Sequence, residues 1–553
     1  MLNRPTPELP PNHRLPIHRW QICPDAQKAI VLAQESGISP IISQLLINRG
    51  VETLEQIQAF LNPESQSLPS PLEEFPDLAL SVELLEKAIA TGQKIAICGD
   101  YDADGMTSTA LLLRSLRWLG AQIDYAIPSR MHEGYGINKR IVEEFKKDGF
   151  EVVITVDNGI SAYDAIARAR ELGLIAIVTD HHDVPPQLPP ANAILNPKLI
   201  AESSPYRGVA GVGVAYILAI SLAQQLGQIK GLVKPLLELF TLGTIADLAP
   251  LTGVNRRWVK RGLQQLPHSQ LAGVQALIQV AGVKGAVPSL PGGNKPQQTL
   301  KPDDIGFRLG PRINAIGRIA DPQIVIELLT TDDPGIALER AMQCEQINQT
   351  RQQLCEQIET EAIALVEKLY ARSLHQDRVL VVVQENWHHG VTGIVASRLL
   401  ERYGVPVFIG TYEDESQIRG SARGIPEFHV FAALEACKDL LGKFGGHKAA
   451  GGFSFPASNL TQLRSRLVTF ANQCLQIEHL KPLLKVDAQV VSLAQINQSL
   501  YEQTLALNPC GIENPDPVFW TANVQVVEQQ LVGKGHIKLT LSSDGASKIK
   551  AIA

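Results

Sequence analysis

The chain has 553 residues, 45% of them hydrophobic and 19% charged, and a formal net charge of −6 at pH 7. This length is enough for several domains, and the composition is typical of a globular protein with a sizeable core. The acidic balance excludes a globally basic nucleic-acid coat, so any contact with nucleic acid must come from a local groove.

The first 75 residues differ from the rest of the chain in pattern. Met1 to Pro5 lack the apolar run of a signal peptide. Small capped helices are predicted near Ile38–Pro40 and Thr53–Ile57, and repeated Pro, Ser and Glu residues between Pro63 and Pro76 predict a linker. Seven cysteines, an odd number without a Cys-x-x-Cys pair, predict the reduced thiols of a cytoplasmic protein.

From Leu78 onward, short apolar runs alternate with helical patterns. The predicted strands are Ile95–Cys98, Gln122–Ile127, Glu151–Val156 and Leu174–Val178, and the predicted helices are Leu84–Ala90, Ser108–Leu119, Lys139–Lys147 and Ala162–Leu172. This alternation predicts an α/β fold with a doubly wound parallel sheet. An uncharged stretch that starts at Gly208 and runs through Ile220 is too short for a bilayer span and predicts a buried helix.

The second half of the chain predicts three further parts. Residues 333–372 favour one long polar helix that connects two domains. A second α/β unit follows, with the strands Val379–Val383 and Val407–Ile409, the helix Ile394–Tyr403 and a glycine-dense turn at Gly445–Gly452. After about residue 484 the pattern is β-like and favours a small barrel, with runs at Val486–Val491, Val518–Val527 and His536–Leu541. Lys548–Ala553 resembles an unfinished strand, which predicts a truncated chain.

Carboxylates are concentrated where predicted strands end. Asp100, Asp102 and Asp104 follow the first strand on alternate residues, so in an extended segment all three would share one face. Asp157 follows a later strand, Asp180-His181-His182 follows the next, and Asp247 lies farther along the chain. Ligands of doubly wound sheets bind at the carboxyl ends of the strands, so these groups are expected to converge.

Crowded like charges are costly unless a cation neutralises them. Aspartate oxygens and histidine nitrogens are donors that suit Mn²⁺ or Mg²⁺. Structural zinc sites are instead rich in cysteine thiolates. Two ions about 4 Å apart can stabilise both the attacking and the leaving oxygen of a phosphoryl transfer, with Asp157 as the shared ligand. For any single aspartate, helix N-capping is an equally good explanation, but it explains the joint pattern poorly.

The motifs together identify a resemblance to a known superfamily. Asp100–Asp104, Val156–Gly159, Asp180–His182 and Gly243–Asp247 resemble the DHH phosphoesterases, and most closely the bacterial RecJ exonucleases, which degrade single strands in the 5′→3′ direction. Further family-like motifs are Pro311–Arg318, Trp387–Ala396, Arg419–Arg423 and Gly446–Gly452. The resemblance runs from about residue 75 to the C-terminus.

This resemblance implies roles for the acids and histidines. Asp102 and Asp157 would hold one ion, and Asp104, Asp157, His181 and Asp247 the other, while His182 would contact the scissile phosphate. Asp100 belongs to the same motif and is counted among the catalytic residues, without being assigned as a direct ligand of either ion. Some DHH relatives have a histidine ligand where this chain has Cys98, so a ligand is not expected there.

The basic motifs imply phosphate contacts. Arginine forks pair bidentately with phosphate oxygens. Arg312, Asn314 and Arg318 would hold the DNA backbone beside the ions, and Arg419, Ser421, Arg423 and His447 would hold neighbouring phosphates or a 5′-phosphate. For the run Arg256–Arg261, which carries one tryptophan, a solvated helix face is favoured over a path for single strands.

The resulting expectation is a Mn²⁺- or Mg²⁺-dependent exonuclease that releases 5′-mononucleotides from single-stranded DNA by two-metal catalysis in repair and recombination. It is expected to be a cytoplasmic monomer whose partners include a single-strand-binding protein and a repair helicase. The expected domains are an N-terminal helical segment (1–75), a DHH domain (76–265), a phosphate-contacting segment with the connector helix (266–372), a DHH-associated domain (373–480) and an OB-like β domain (481–553).

Two other functions remain open. One is a DHH phosphodiesterase that acts on short RNA or cyclic dinucleotides, although such relatives are typically shorter and lack the terminal β region. The other is a non-catalytic DNA-binding scaffold, like the DHH-fold component of the eukaryotic replicative helicase. That alternative predicts eroded metal ligands, whereas every acid of the pattern is present in this chain.

Overall fold

The computed structural model describes residues 18–128, 135–283, 299–370, 372–533, 535–543, 545 and 547–553. The N-terminal motif at Met1–Pro5 lies outside these ranges. The described chain divides into two compact units, a smaller one with residues 18–23 and the described part of 349–486, and a larger one with the described parts of 24–348 and 487–553.

Strands and helices alternate along much of the chain. The strands are β1 (Arg19–Ile22), β2 (Lys94–Cys98), β3 (Gln122–Ala126), β4 (Val152–Val156), β5 (Ile175–Thr179), β6 (Ala193–Leu195), β7 (Leu380–Gln384), β8 (Val407–Tyr412), β9 (Gln417–Arg423), β10 (Phe444–Gly446), β11 (Ala450–Pro456), β12 (Leu483–Val486), β13 (Ala488–Gln489), β14 (Phe519–Trp520), β15 (Gln525–Val532), β16 (His536–Ser542) and β17 (Lys548–Ile552). The helices are α1 (Lys28–Ser36), α2 (Pro40–Asn48), α3 (Leu54–Leu61), α4 (Pro71–Glu74), α5 (Leu78–Thr91), α6 (Ala103–Trp118), α7 (Lys139–Lys147), α8 (Tyr163–Glu171), α9 (Gly211–Gln225), α10 (Val233–Ala246), α11 (Gly253–Gln265), α12 (Ala272–Val280), α13 (Pro302–Asp304), α14 (Gly310–Ile319), α15 (Gln323–Thr330), α16 (Pro334–Leu369), α17 (Leu374–Asp377), α18 (His389–Tyr403), α19 (Val430–Glu435), α20 (Leu460–Cys474) and α21 (Gln498–Ala506).

The larger unit is built on a five-stranded sheet with the order β3-β2-β4-β5-β6 and only parallel pairs. The strands alternate between two cores: Ile95 and Ile97 face the core that contains α6 and α9, whereas Ala96 and Cys98 face the core that contains α7 and α8. The strand order reverses between β2 and β4, and such a switch point opens a crevice at the carboxyl ends of the strands. The predicted doubly wound sheet is therefore confirmed, and β6 is one strand that the sequence pattern missed.

The N-terminal helices share a small core with the C-terminal region of the same unit. Buried side chains of α2 and α3, among them Leu45 and Ile57, pack with Leu500 and Leu507 from the region of α21. Residues 63–76 were expected to be a linker, but they contain a short 3₁₀ turn and α4. Ser70 caps α4 with its hydroxyl, so local capping gives this proline-rich stretch a defined structure.

The basic run Arg256–Arg261 has a different environment from the solvated helix face that the sequence favoured. Arg256 is buried, lies over the Phe60 ring and donates hydrogen bonds to the carbonyl oxygens of Phe60, Asn508 and Pro509. Trp258 packs among Tyr206, Tyr216 and Phe240, while Arg257 and Arg261 both pair with Glu64. Arg256 and Trp258 therefore join segments of the fold, and only Arg261 matches the solvated face that the sequence favoured.

The smaller unit contains a mixed five-stranded sheet with the order β10-β11-β9-β8-β7. Strands β7 and β8 are parallel, and the remaining pairs are antiparallel. The glycine-dense turn forms the β10–β11 hairpin. In the larger unit, β13 pairs with β14, and β15, β16 and β17 form an antiparallel meander in the predicted C-terminal β region.

Among the described residues, no single helix has the length and apolar character needed to cross a membrane. The bent pair α1 and α2 meets the criterion only when the two are taken together. Helix α9 is buried over most of its length, as its uncharged sequence predicted.

Candidate metal centre

The acids after β2 converge for a different reason from the one expected. Asp102 has extended backbone, but α6 begins at Ala103, so Asp104 lies within the helix. Asp102 is its N-cap and accepts a hydrogen bond from the Gly105 N–H at 3.0 Å, whereas Asp104 lies in its first turn. The end of β2, the N-cap position of α6 and the first turn of α6 thus bring the three carboxylates together. Asp102 also has the helix-capping role that the sequence analysis weighed against metal binding.

Three clusters combine the acids and histidines. Within each, the possible ligand atoms lie within 4.8 Å of one another: Asp100, Asp102 and Asp157; Asp104, His181 and Asp247; and Asp157, His181 and His182. Asp157 belongs to two clusters, and His181 Nε2 lies 3.0 Å from Asp157 Oδ1 and 3.6 Å from Asp104 Oδ2. This is the arrangement that two neighbouring ions with a shared carboxylate require.

Asp104 and Asp157 are held at the switch point by the backbone. The Asp104 carboxylate accepts hydrogen bonds from the N–H groups of Gly211 (2.7 Å) and Val212 (2.8 Å), at the start of α9. A Cβ atom at Gly211 would lie 2.8 Å from the Asp157 Cβ and 2.9 Å from Asp104 Oδ2, so only glycine fits between them. Asp157 itself has a left-handed φ of 59°.

Burial and mutual repulsion make the acids costly to ionise. Burial, followed by the charge of Asp102, raises the pKa of Asp104 to about 7 despite its backbone donors. Burial, followed by the charge of Asp104, raises the pKa of Asp157 and Asp247 well above the usual range. A site that crowds buried carboxylates in this way fits divalent cations, because their charge removes the repulsion. Oxygen and imidazole donors match Mn²⁺ or Mg²⁺.

The two adjacent histidines have different surroundings. Burial, with a smaller effect of the neighbouring His182, lowers the pKa of His181 to about 4, so its imidazole is neutral and able to bind a metal. Burial also disfavours charge on His182, but the hydrogen bond and charge of Asp180 outweigh it, so the pKa of His182 is raised. His182 is thereby suited to meet an anionic group.

Asp180 was not assigned a role from the sequence, and it supports the site. Its carboxylate lies 2.7 Å from His182 Nδ1 and accepts hydrogen bonds from the backbone N–H groups of Ile160, His181 and His182. Burial opposes its ionisation, but the hydrogen bond to His182, its charge and the backbone donors lower the Asp180 pKa overall. Its place in the Asp-His-His motif was the available signal.

Tyr135 and Asn158 were also missed. The Tyr135 hydroxyl donates to the Asp157 carbonyl oxygen at 2.7 Å and lies 3.1 Å from His182 Nδ1. Asn158 is buried and donates to the carbonyl oxygens of Cys98 and Val156, which ties the ends of β2 and β4 together. No ligand role is evident for Cys98, because it is buried and faces the core beside α7 and α8. Burial raises the pKa of its thiol.

The three residues of α14 that were predicted to hold the DNA backbone have different neighbours in the structure. Asn314 Oδ1 accepts the Ala103 N–H at 2.9 Å, which joins α14 to the start of α6. Arg312 forms an ion pair with Glu345 and donates to the Arg308 carbonyl oxygen. Arg318 lies partly exposed near the end of the same helix.

The predicted phosphate-binding residues of the smaller unit share one surface. Arg419, Ser421 and Arg423 occupy alternate, partly exposed positions of β9, so their side chains lie on the same face. A Cβ at Gly393 would lie 2.9 Å from Arg423 Nη2 and 3.5 Å from Ser421 Oγ, which places both beside the first turn of α18. His447 is exposed in the turn between β10 and β11. Arg423 and Ser421, close to the N-terminal part of α18, are suited to phosphate, whereas Arg419 forms an ion pair with Glu413.

Three family models match successive parts of the chain. Residues 94–244 match the N-terminal domain of the DHH family, residues 376–473 match the DHHA1 domain and residues 486–553 match the RecJ OB domain. A single-stranded-DNA-specific exonuclease RecJ from Bacillus subtilis is 37% identical, with the alignment covering 96% of this chain and 65% of the relative. The chain therefore spans just under two thirds of that protein's length.

Two further matches extend over most of the chain. The single-stranded-DNA-specific exonuclease RecJ of Escherichia coli is 33% identical over 93% of this chain and 88% of its own length. The crystal structure of RecJ from Thermus thermophilus in complex with Mn²⁺ superposes with a TM-score of 0.79 at 28% identity, covering 97% of this chain and 74% of that one. The chain belongs to the RecJ family of exonucleases.

Proposed function

We propose that this protein is a metal-dependent exonuclease that hydrolyses single-stranded DNA from the 5′ end to 5′-mononucleotides. The observation that carries the proposal is the convergence of five buried or half-buried aspartates and two histidines at the switch point of the parallel sheet. Family membership supports the choice of substrate, since the named relatives are single-stranded-DNA-specific exonucleases. The intact ligand set disfavours the scaffold, and the RecJ OB match disfavours a short-substrate phosphodiesterase.

We assign the ligands by cluster. Asp100, Asp102 and Asp157 would hold one Mn²⁺ or Mg²⁺ ion, and Asp104, Asp157, His181 and Asp247 would hold the other. When bound, the two ions supply positive charge that stabilises the attacking and leaving oxygens of the phosphodiester. Asp180 fixes the orientation of His182, whose raised pKa favours the cationic ring that contacts the scissile phosphate.

The basic residues would position the strand. We assign phosphate contacts to Arg312, Asn314 and Arg318 in the larger unit and to Arg419, Ser421, Arg423 and His447 in the smaller unit. The shared face of β9 beside α18 supports the second group, as one terminal phosphate fits a surface with two arginines and a hydroxyl. A terminal-phosphate contact would account for cleavage from the 5′ end.

The proposed domain division follows the sequence pattern: residues 1–75, 76–265, 266–372, 373–480 and 481–553. A role in DNA repair and recombination, a monomeric cytoplasmic enzyme, and partnership with a single-strand-binding protein and a repair helicase complete the proposal. The two partners are chosen from the proposed substrate, because exposed single strands arise when a helicase opens damaged DNA and are coated by binding proteins.

The test is cleavage of oligonucleotides labelled at the 5′ or 3′ end, as single strands and as blunt duplex, with Mn²⁺ and with chelator. The expected result is release of labelled mononucleotide from the 5′ end of single strands only, abolished by chelator and by Asp157→Ala. Asp124→Ala, an exposed aspartate on β3, is the matched control. No cleavage by folded, Mn²⁺-supplemented protein would overturn the proposal, and rapid cleavage of dinucleotides alone would favour the short-substrate alternative.

A further inference from the structure

Two large apolar side chains are exposed on segments that adjoin the metal centre. Phe307 is 78% exposed and Leu248 is 64% exposed. Single exposed apolar residues are common on protein surfaces and need no explanation by themselves. These two are distinguished by their backbone conformations and by where their segments are attached.

Leu248 follows the candidate ligand Asp247 directly. Its φ of 62° lies in the left-handed region, which is unfavourable for leucine. Its N–H bonds to the Ile245 carbonyl oxygen, so the turn that ends α10 holds the side chain outward. Backbone strain that exposes an apolar side chain beside catalytic ligands indicates a functional constraint rather than a stabilising one.

Phe307 lies in a π-helical turn, Ile305–Leu309, that leads into α14. The flanking Ile305 and Leu309 are fully buried, so the turn is fixed in the core while Phe307 faces solvent. Single π turns occur frequently at functional sites, because the wider turn redirects side chains that a regular helix would place elsewhere.

The helix that follows this turn is fastened to the metal centre at two places. A Cβ at Gly310 would lie 3.2 Å from the Ala246 Cβ, next to Asp247, and a Cβ at Gly317 would overlap the carbonyl oxygen of Tyr101. Within α14, Pro311, Asn314 and Arg318 are spaced by three and four residues, so they share one side of the helix, and Phe307 lies in the π turn that leads into it. Asn314 on that side bonds the Ala103 N–H, so the side adjoins the acidic cluster.

We infer that Phe307 stacks on a nucleobase of the bound single strand, and that Leu248 packs against a neighbouring base or sugar. The inference rests on the proposed function, since the bases of a strand whose phosphate lies at the metal centre must pass close by. An aromatic face accepts any base, which suits an exonuclease that removes nucleotides of every sequence. Bases in a duplex are already stacked and paired, so this contact favours single strands.

The test uses the full chain in chelator, where binding is measured without cleavage. Fluorescence anisotropy compares a labelled oligonucleotide with one whose first four 5′ nucleotides lack bases. The wild type is expected to bind the base-free strand about 5- to 100-fold more weakly, the range of single base–aromatic stacking contacts. Phe307→Ala should lose a similar factor on the normal strand and show little further loss on the base-free strand, while Phe307→Trp should restore discrimination.

Trp118→Ala provides the matched control. Trp118 is also a large exposed aromatic residue, 58% accessible, but it lies at the opposite end of α6 from the acids. It should bind both strands like the wild type, and Leu248→Ala should show a smaller loss than Phe307→Ala. Equal binding of both strands by a wild type that still cleaves single-stranded DNA would overturn this inference alone. A wild type without nuclease activity would instead overturn the proposed function.

Discussion

The imidazole Nδ1 of His182 lies 2.7 Å from the carboxylate of Asp180, and the same carboxylate accepts three backbone N–H groups. Asp180 is not in any of the three ligand clusters, yet it fixes the ring that we place against the scissile phosphate. Supporting carboxylates of this kind set the tautomer and orientation of a functional imidazole.

Asp180→Asn is therefore expected to lower kcat about 10- to 100-fold while KM for single-stranded DNA changes little. The amide cannot hold the imidazolium as a carboxylate does, and it brings a donor against backbone donors. Asp183→Asn, three residues along the same loop and exposed, should keep kcat within twofold. A rise in KM without a fall in kcat would show that Asp180 acts on binding and not on His182.

Replacing one acid of the cluster should raise the stability of the metal-free protein. With metal bound, the same replacement should leave the variant less stable than the wild type. Asp157 is buried among like charges, so metal-free Asp157→Asn should unfold at a higher temperature than metal-free wild type. Asparagine tolerates the left-handed backbone at this position. With Mn²⁺ at about 100 times its dissociation constant, the wild type should gain about 2.7 kcal/mol and become the more stable protein.

Thermal unfolding with and without Mn²⁺ measures this crossover. Asp124→Asn, which removes an exposed charge on β3, should follow the wild type under both conditions. An Asp157→Asn protein that Mn²⁺ stabilises as much as the wild type would contradict the shared-ligand assignment.

Arg256→Ala is expected to destabilise the protein by about 2–4 kcal/mol, because three carbonyl oxygens lose their donor and the Phe60 ring loses its partner. Arg261→Ala removes an exposed ion pair with Glu64 and should cost at most about 1 kcal/mol. Urea denaturation compares the two variants. Affinity for single-stranded DNA should be unchanged in Arg261→Ala, and a large loss there would restore the interpretation of this run as a DNA path.

Glu238 should make stability depend on pH. Burial raises the pKa of Glu238 to about 7, although the hydrogen bond donated by Ser269 and the charges of Lys234 and Arg114 partly oppose the shift. An acid whose folded-state pKa is raised is penalised once ionised, so this contribution destabilises progressively from about pH 4.5 to about pH 7. The advantage of Glu238→Gln over wild type should grow across that window to about 3 kcal/mol.

Denaturation at pH 5 and pH 8 tests this sign. The exposed Glu35→Gln serves as the control and should show no such trend. A Glu238→Gln variant that is less stable than wild type at pH 8 would show that the ionised carboxylate has a favourable partner.

Local pattern was enough to predict the parallel sheet and the acids at its edge. Strands such as Val152–Val156 are short, continuous apolar runs, and three of the sheet's strands, β2, β4 and β5, are followed at once or within two residues by Asp100, Asp157 and Asp180. Helices such as Lys139–Lys147 were predicted with their bounds unchanged, because the apolar stripe and the Asn138 cap are both local signals.

Tertiary structure decided what depends on neighbours distant in sequence. Arg256 resembles any surface arginine until segments from residue 60 and residues 508–509 supply its carbonyl partners. The supporting role of Asp180 and the exposure of Phe307 likewise follow from packing, not from periodicity. A sequence pattern records which residues prefer burial or a strand end, whereas the free energy of a buried polar group depends on the partners that the fold brings to it.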